Sequence, residues 1–328
     1  MRAVRIAEPG GPGVLRLDEA PDPQPAPDEL LVEVRATGVN RADLLQRRGG
    51  YPAPPGAPED VPGLEFAGEV VEAGPAVRGF QPGDRVMGLL GGGGYAERVA
   101  TPAELALPVP RPLSWVEAAA VPEVFITAWD ALFRQGDFSA GHRVLVHSAG
   151  GGVGTAALQV AAAGGASTVF ATASAPKLDG LSARGLPLDV PVDRHAEDFA
   201  EVVEVETAGR GVDVILDTVG ADYWTRNVAS LAERGRLVLV GLLGGSTVEA
   251  DLGALLRKRA RVVGTVLRSR SRSEKARLTA AVRDRLLPLF EDGRLWPVVD
   301  RTFPLAEAAE AHRHMGANEN LGKIVLEV

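Results

Sequence analysis

The spacing of apolar positions changes twice along the chain. Up to about residue 122, short Val-rich runs such as "AVRIAE", "LLVEVRATG", "FAGEVVEAG", "DRVMGLL" and "YAERVAT" are separated by Pro and Gly. This texture predicts a small, partly antiparallel β domain. From about 121 to 266, compact apolar runs at 143–148, 168–173, 212–217, 236–241 and 261–266 alternate with helical patterns such as "VGTAALQVAAA" and "YWTRNVASLAE". Continuously apolar strands with helices between them predict a parallel sheet covered on both faces, with right-handed crossovers. After 268 come a long helical pattern, "SEKARLTAAVRDRLLPLFEDG", a second helix, "LAEAAEAHRHMGA", and a last strand, "KIVLEV". A lone strand after a complete βα array fits back into the first domain most simply. The predicted organisation is therefore α/β and discontinuous: residues 1–122 with 268–328 form one domain, and 123–267 are inserted as the other.

Composition narrows the chemistry. At 328 residues and 45% hydrophobic, the chain can bury the cores of two domains. A formal net charge of −8 argues against a nucleic-acid surface and for small-molecule chemistry in a soluble protein. No apolar run reaches the ~18 residues of a membrane span. The N-terminus lacks an apolar signal core, so the expected location is cytoplasmic. There is no cysteine, which removes thiolate nucleophiles, disulfides and thiolate metal ligands. Of the five histidines, His312 and His314 lie two apart on a helix and face different ways, and His142, His147 and His195 have no ligand-type neighbour. No metal site is expected.

One stretch carries a cofactor signature. In "VLVHSAGGGVGTAALQVAAAGG" a strand runs into glycines and then into a helix rich in small residues. The dinucleotide fingerprint G-x-G-x-x-G fits here with Ala149 in place of its first glycine. Gly150, Gly151 and Gly152, with Val153, would let the backbone approach a pyrophosphate, and Gly154 would pack the helix against the sheet. The helix N-terminus offers free N–H groups to phosphate. An NAD enzyme normally shows an acid about 20 residues further on, to hold the ribose 2′-hydroxyl. Here the second strand ends in "ATASAPK", without an acid before Asp179. Ser174 and Lys177, with Arg194 as a third strand-end candidate, suit a 2′-phosphate, so the expected cofactor is NADPH.

Motifs over nearly the whole length, including "GVNRADLLQRRGGYPAPPGAP", "GLEFAGEVVEAG", "EAAAVPEVFITAW", "HSAGGGVGTAALQ", "GRLVLVGLLGG" and "ANENLGKIVLEV", resemble the zinc-free medium-chain dehydrogenase/reductases of the NADPH:quinone oxidoreductase family. The similarity is greatest to the tumour-suppressor-inducible quinone oxidoreductase subgroup and more distant to zeta-crystallin. The resemblance implies a GroES-like, mostly β catalytic domain and a Rossmann doubly wound domain, with cofactor and substrate in the cleft between them. It implies that Asn40 and Tyr51 face the nicotinamide and substrate. It also implies cofactor contacts at Thr127, Gly241, Leu242, Leu267 and Asn318, with Lys323 close by. The sequence departs from the family at Arg194, where a tyrosine is frequent, and at Gly151, where close relatives can carry serine.

Without cysteine or histidine ligands to polarise an alcohol, the expected reaction is hydride transfer from NADPH to an electrophilic acceptor such as a quinone. Position and a dry pocket would be the protein's main contribution, and Asn40 and Tyr51 could donate hydrogen bonds to the reduced oxygen. A 2-enoyl reductase of the same fold is the alternative enzyme. An RNA-binding or structural role, as in zeta-crystallin relatives, is the non-enzyme alternative. The run "RSRSRSEK" reads as a solvated hinge rather than a nucleic-acid patch. Asp43 reads as a first-turn helix charge and Tyr95 as a pocket-wall residue. His147 and Ser148, adjacent on a strand, point apart and do not form a nucleophile pair. The edge of the strand at 261–266 could pair across a two-fold axis, giving a homodimer.

Overall fold

The computed structural model describes all 328 residues. The chain divides into two compact units, Met1–Ile126 with Leu267–Val328, and Thr127–Val266.

The first unit is built on a seven-stranded sheet whose centre is the long strand Glu29–Val39. One edge of this strand pairs with Glu65–Ala73. The other carries Arg98–Pro102 along its first half and Lys323–Glu327 along its second. All three pairings are antiparallel, and two register breaks against Glu65–Ala73 bend the strand. Along its first half Leu30, Val32 and Val34 are buried while Leu31, Glu33 and Arg35 are not, the period-2 pattern of a sheet with one covered face. The strand Lys323–Glu327 brings the chain's end back to this unit, as its isolation after the βα array predicted. Beside the sheet, Val4, Leu15, Val39, Leu44, Tyr95, Met315 and Ile324 share one core.

The second unit is a six-stranded, wholly parallel sheet. In space its strands are Val190–Asp193, Thr168–Ala173, Arg143–Val146, Val212–Asp217, Leu231–Leu239 and Arg261–Gly264. Numbered along the chain this is the doubly wound order 3-2-1-4-5-6. Val144, Leu145 and Val146 are fully buried, as a strand covered on both faces requires. The order reverses between Arg143–Val146 and Val212–Asp217, and the crevice beyond their carboxyl ends is where such sheets bind ligands.

Three elements differ from the sequence expectation, the first being the strand Val190–Asp193, which matches none of the five apolar runs. The long helical pattern after 272 is two helices, Arg272–Arg285 and Leu287–Glu291. Pro288 lacks an N–H and its ring clashes with the preceding turn, so the first helix stops and Pro288 opens the second. The helix after Tyr223 ends at Ser230, and the fifth strand begins at once, at Leu231. Arg234 in the left-handed region (φ 64°) makes an irregularity within that strand, which apolar periodicity alone did not reveal.

Candidate active site

In the second unit the glycine turn leaves the strand Arg143–Val146 at the switch point. The left-handed conformation falls on Ser148 (φ 52°) and not on the next residue, so Ala149 is tolerated where the fingerprint has glycine. Ala149 is fully buried, and its N–H donates to the Thr172 carbonyl (3.0 Å) in the neighbouring strand. Gly151 caps a helix running from Gly152 to Ala163, whose first N–H groups have no intrahelical acceptor. The glycines are not equivalent. A Cβ on Gly154 would lie 2.4 Å from the Ser148 oxygen and 2.6 Å from Ala149 Cα, so this glycine lets the helix close on the turn. For a Cβ on Gly150 the nearest atoms would be those of the Lys177 side chain, with its Cδ at 2.7 Å.

That contact places Lys177 beside the turn. Lys177 lies in the helix Ala175–Ala183, capped by Ser174, whose hydroxyl makes no capping bond. Arg194, exposed at the end of the third strand, donates its backbone N–H to Ala173 (2.9 Å), directly before Ser174. Ser174, Lys177 and Arg194 thus share the carboxyl-end rim of the sheet, and no acid interrupts them at the end of the second strand. On the far side of the turn, the Thr218 hydroxyl donates to Ser148 Oγ (2.8 Å), and the Gly241 N–H reaches the Asp217 carbonyl (3.3 Å). Gly241 and the half-exposed Leu242 (52%) therefore reach the same crevice. Cradle and crevice fit a nicotinamide dinucleotide. Thr127 opens this unit, whereas Leu267 and Asn318 belong to the first; Asn318 accepts from Arg41 (2.6 Å).

His147 is structural. It is fully buried, with Nδ1 bonded to the Thr172 hydroxyl (2.9 Å) and Nε2 to Asn227 Oδ1 (2.7 Å). The amide oxygen can only accept, so Nε2 carries the proton. Burial pushes this imidazole down to about 4. Asn227 in turn donates to Asp217 (3.0 Å), raised to about 6 by its own burial.

In the first unit Asn40 ends the strand Glu29–Val39 and begins the helix Arg41–Arg47. Its side chain is fully engaged. Oδ1 accepts from Lys323 Nζ (2.6 Å), and Nδ2 donates to Glu65 Oε1 (2.9 Å) and to the Gly38 carbonyl (3.3 Å). Lys323 also donates to Glu65 Oε1 (2.7 Å) and to the Val39 carbonyl (2.9 Å). Both charges are buried, at 0% exposure for the Glu65 side chain and 3% for Lys323. Gly38 makes room for this pair, because a Cβ there would lie 2.2 Å from Glu65 Oε1.

Asp43 lies in the first turn of the helix Arg41–Arg47, as the sequence suggested, but away from solvent. It is completely buried and accepts from the N–H groups of Asn40 (2.7 Å) and Gly63 (3.1 Å) and from the Tyr95 hydroxyl (3.1 Å). Burial pushes its carboxyl up to about 6. Tyr95 is likewise a core residue and not a pocket wall. Its hydroxyl meets His312 Nε2 (3.0 Å), and His312 Nδ1 meets Arg47 (3.1 Å). A guanidinium only donates, so Nδ1 accepts, Nε2–H points to Tyr95, and Tyr95 donates to Asp43. One directed chain of hydrogen bonds thus runs from Arg47 to Asp43.

Tyr51 is half-buried, with the Arg268 guanidinium over its ring, 5.1 Å from the centroid. Arg268 corrects the reading of "RSRSRSEK" as wholly solvated. It is 4% exposed and donates to the carbonyls of Gly91 (2.8 Å) and Tyr51 (3.1 Å) and to Gln46 Oε1 (2.7 Å). Only tertiary contact separates it from Arg272, which stays exposed and pairs with Asp28 and Glu104. The sequence reading also missed Glu123. Its backbone N–H is held by Glu65 Oε2 (2.8 Å), and its carboxyl is pushed up to about 8 by burial and then by the Glu65 charge. A glutamate just after a proline at a helix start looks like an ordinary first-turn charge, so the sequence offered no signal.

Residues 26–111 match the model of the alcohol dehydrogenase GroES-like domain, and residues 186–326 that of the zinc-binding dehydrogenase family. This chain itself has no cysteine and groups no three histidines or carboxylates that could hold a metal ion. A synaptic vesicle membrane protein VAT-1 homolog-like protein of Mus musculus is 34% identical, over 100% of this chain and 81% of that protein. No helix here is long and apolar enough to cross a membrane. A phenolphthiocerol/phthiocerol polyketide synthase protein from Mycobacterium tuberculosis is 35% identical over 99% of this chain, which spans 15% of that protein. Among solved structures, the Escherichia coli quinone oxidoreductase complexed with NADPH superposes with a TM-score of 0.89 at 29% identity, covering 100% of both chains. A GroES-like unit, a doubly wound parallel sheet and relatives matched along the whole chain lead to one assignment: the chain belongs to the medium-chain dehydrogenase/reductase superfamily, in its zinc-free, quinone-oxidoreductase-like branch.

Proposed function

We propose that this oxidoreductase is an NADPH-dependent quinone reductase. The observation that carries the reading is the end of the second strand, where no acid stands, Lys177 packs on Gly150, and Ser174 and Arg194 sit alongside. When bound, NADPH supplies the hydride. The first N–H groups of the helix Gly152–Ala163 hold the pyrophosphate, and Ser174, Lys177 and Arg194 hold the 2′-phosphate. Thr127, Gly241 and Leu242 of the same unit border the cofactor. The Tyr51 hydroxyl, which makes no hydrogen bond within the chain, is available to the oxygen of the acceptor. The Asn40 amide has both of its hydrogens and its oxygen engaged, so it shapes the site as a fixed polar surface. The unpaired edge of Arg261–Gly264 and the exposed Leu252 (66%) and Leu256 (77%) of the adjoining helix support assembly as a homodimer.

The test is NADPH oxidation with ortho-quinones, para-quinones and crotonyl-CoA in parallel. Quinone turnover is expected, and turnover with crotonyl-CoA alone would overturn the quinone assignment. The similarity to a polyketide synthase favours the enoyl thioester as the second reading. The cofactor choice has its own check. Lys177→Glu puts a carboxylate on the rim and should weaken NADPH about tenfold or more while leaving NADH nearly unchanged, a difference of about 1.4 kcal/mol. Equal loss for both would show that Lys177 does not meet the 2′-phosphate.

A further inference from the structure

Glu123 has an unusual combination of features. It lies in the first turn of the helix Pro122–Trp129, and its backbone is pinned by the N–H···Glu65 Oε2 bond of 2.8 Å. Its own carboxyl neither accepts nor donates a hydrogen bond, and the residue is only half-buried, so one side remains open. A buried polar group normally finds a partner, and one held in place without a partner has bonding capacity left for something outside the chain. The nearby Tyr51 hydroxyl is in the same condition. Burial raises it first, then the Glu123 charge, while Arg268 over its ring acts in the opposite sense.

From these positions we propose that the Glu123 carboxyl donates the proton that completes reduction of the acceptor, with the Tyr51 hydroxyl as its partner at the same surface. This rests on the reductase reading above and adds to it a built-in acid. The step balances. The hydride brings two electrons to the acceptor, whose oxygen takes up the negative charge. The O–H bond of Glu123 breaks, its electron pair stays on the carboxylate, and the new O–H bond forms on the acceptor. The carboxylate regains a proton from water through its open side.

The groups around Glu123 keep the acid loaded. Glu65 and Asp43 oppose its ionisation together with burial, while Lys323, Lys275 and the Arg268 guanidinium favour it. Lys323 is spent on Glu65 and Asn40, and Lys275, on the helix Arg272–Arg285, is itself driven toward its neutral form by burial. The carboxyl therefore stays protonated through neutral pH and ionises near pH 8. A neutral carboxylic acid at neutral pH can donate where an ordinary carboxylate cannot. The acid form is lost as pH rises, so the activity it supports should fall on the alkaline side.

Two readouts test this, one of which needs no turnover. In cofactor-free protein carrying carboxyl-13C glutamate, one resonance should titrate near 8 and be missing from Glu123→Gln. In the wild type with a quinone, kcat should fall as pH passes 8. Glu123→Gln should lower kcat about a hundredfold and remove that limb, since general acids contribute roughly 10²–10⁴-fold. Glu123→Asp should restore part of the rate, and Tyr51→Phe should raise KM more than it lowers kcat. A Glu123 resonance titrating in the ordinary carboxylate range would overturn the proposal. So would a Glu123→Gln variant that keeps the wild-type rate and pH limb. A wild type that reduces no acceptor at all would instead overturn the reductase reading, so the two failures are distinct.

Discussion

Replacing Lys323 with methionine should cost the fold about 3–5 kcal/mol, the usual penalty for breaking a buried ion pair from one side. Lys323 Nζ has three hydrogens, and the Val39 carbonyl, Asn40 Oδ1 and Glu65 Oε1 take all of them. A methionine fills similar volume but takes the ammonium donor from all three acceptors, one of them a carboxylate with no exposure. The Glu65 carboxylate would keep only the N–H of Glu123 and the Asn40 amide. Denaturant unfolding of Lys323→Met measures the loss. Adding Glu65→Gln in the same chain should recover part of it, because the orphaned charge is then gone. A single-variant loss below about 1 kcal/mol, the range of an exposed pair, would mean that the pair does not hold this unit together. The change would also release the Asn40 amide, so any activity should fall even in protein that remains folded.

The second large effect is expected at Gly154. Valine there would drive a Cβ to within 2.4 Å of the Ser148 oxygen and 2.6 Å of Ala149 Cα. Both obstacles are backbone, so the helix must move off the turn. Overpacking of this kind costs roughly 1–3 kcal/mol or more. The displaced helix N-terminus should also lose the nucleotide, which equilibrium binding of NADPH would show as at least a tenfold weakening, about 1.4 kcal/mol. Gly150→Ala is the control, because the atoms nearest its Cβ would belong to the Lys177 side chain and not to the backbone. It should leave the unfolding transition within about 0.5 kcal/mol of the original while disturbing the rim. Two variants with equal stability and equal binding would refute the packing role assigned to Gly154.

The two positions show how far a sequence can be read. A glycine four residues into a strand-to-helix turn signals close packing, and the structure supplies the clash that demands it. The same reading could not tell that Gly150 makes room for Lys177, 27 residues further on, because that contact depends on how the second strand lies against the first. Asp43, Tyr95, Arg268 and Glu123 were legible only as types. A charged or hydroxylated side chain beside a turn reads as solvated by default, and each of these is held by groups brought in from other parts of the chain. The long helical pattern broken at Pro288 is the converse, a local rule that was present in the sequence and outweighed by periodicity.

By itself the sequence determined the two textures, the parallel sheet with its glycine turn, the return of the last strand to the first unit, the absence of cysteine and the missing acid after the second strand. These are local properties, written in side-chain period, backbone freedom and residue type. The tertiary structure alone decided which ionisable groups lose their water. Glu65 and Lys323 meet across 258 residues, and Glu123 is held beside them by a single backbone bond. Desolvation depends on everything that surrounds a group, and no stretch of sequence contains its own surroundings.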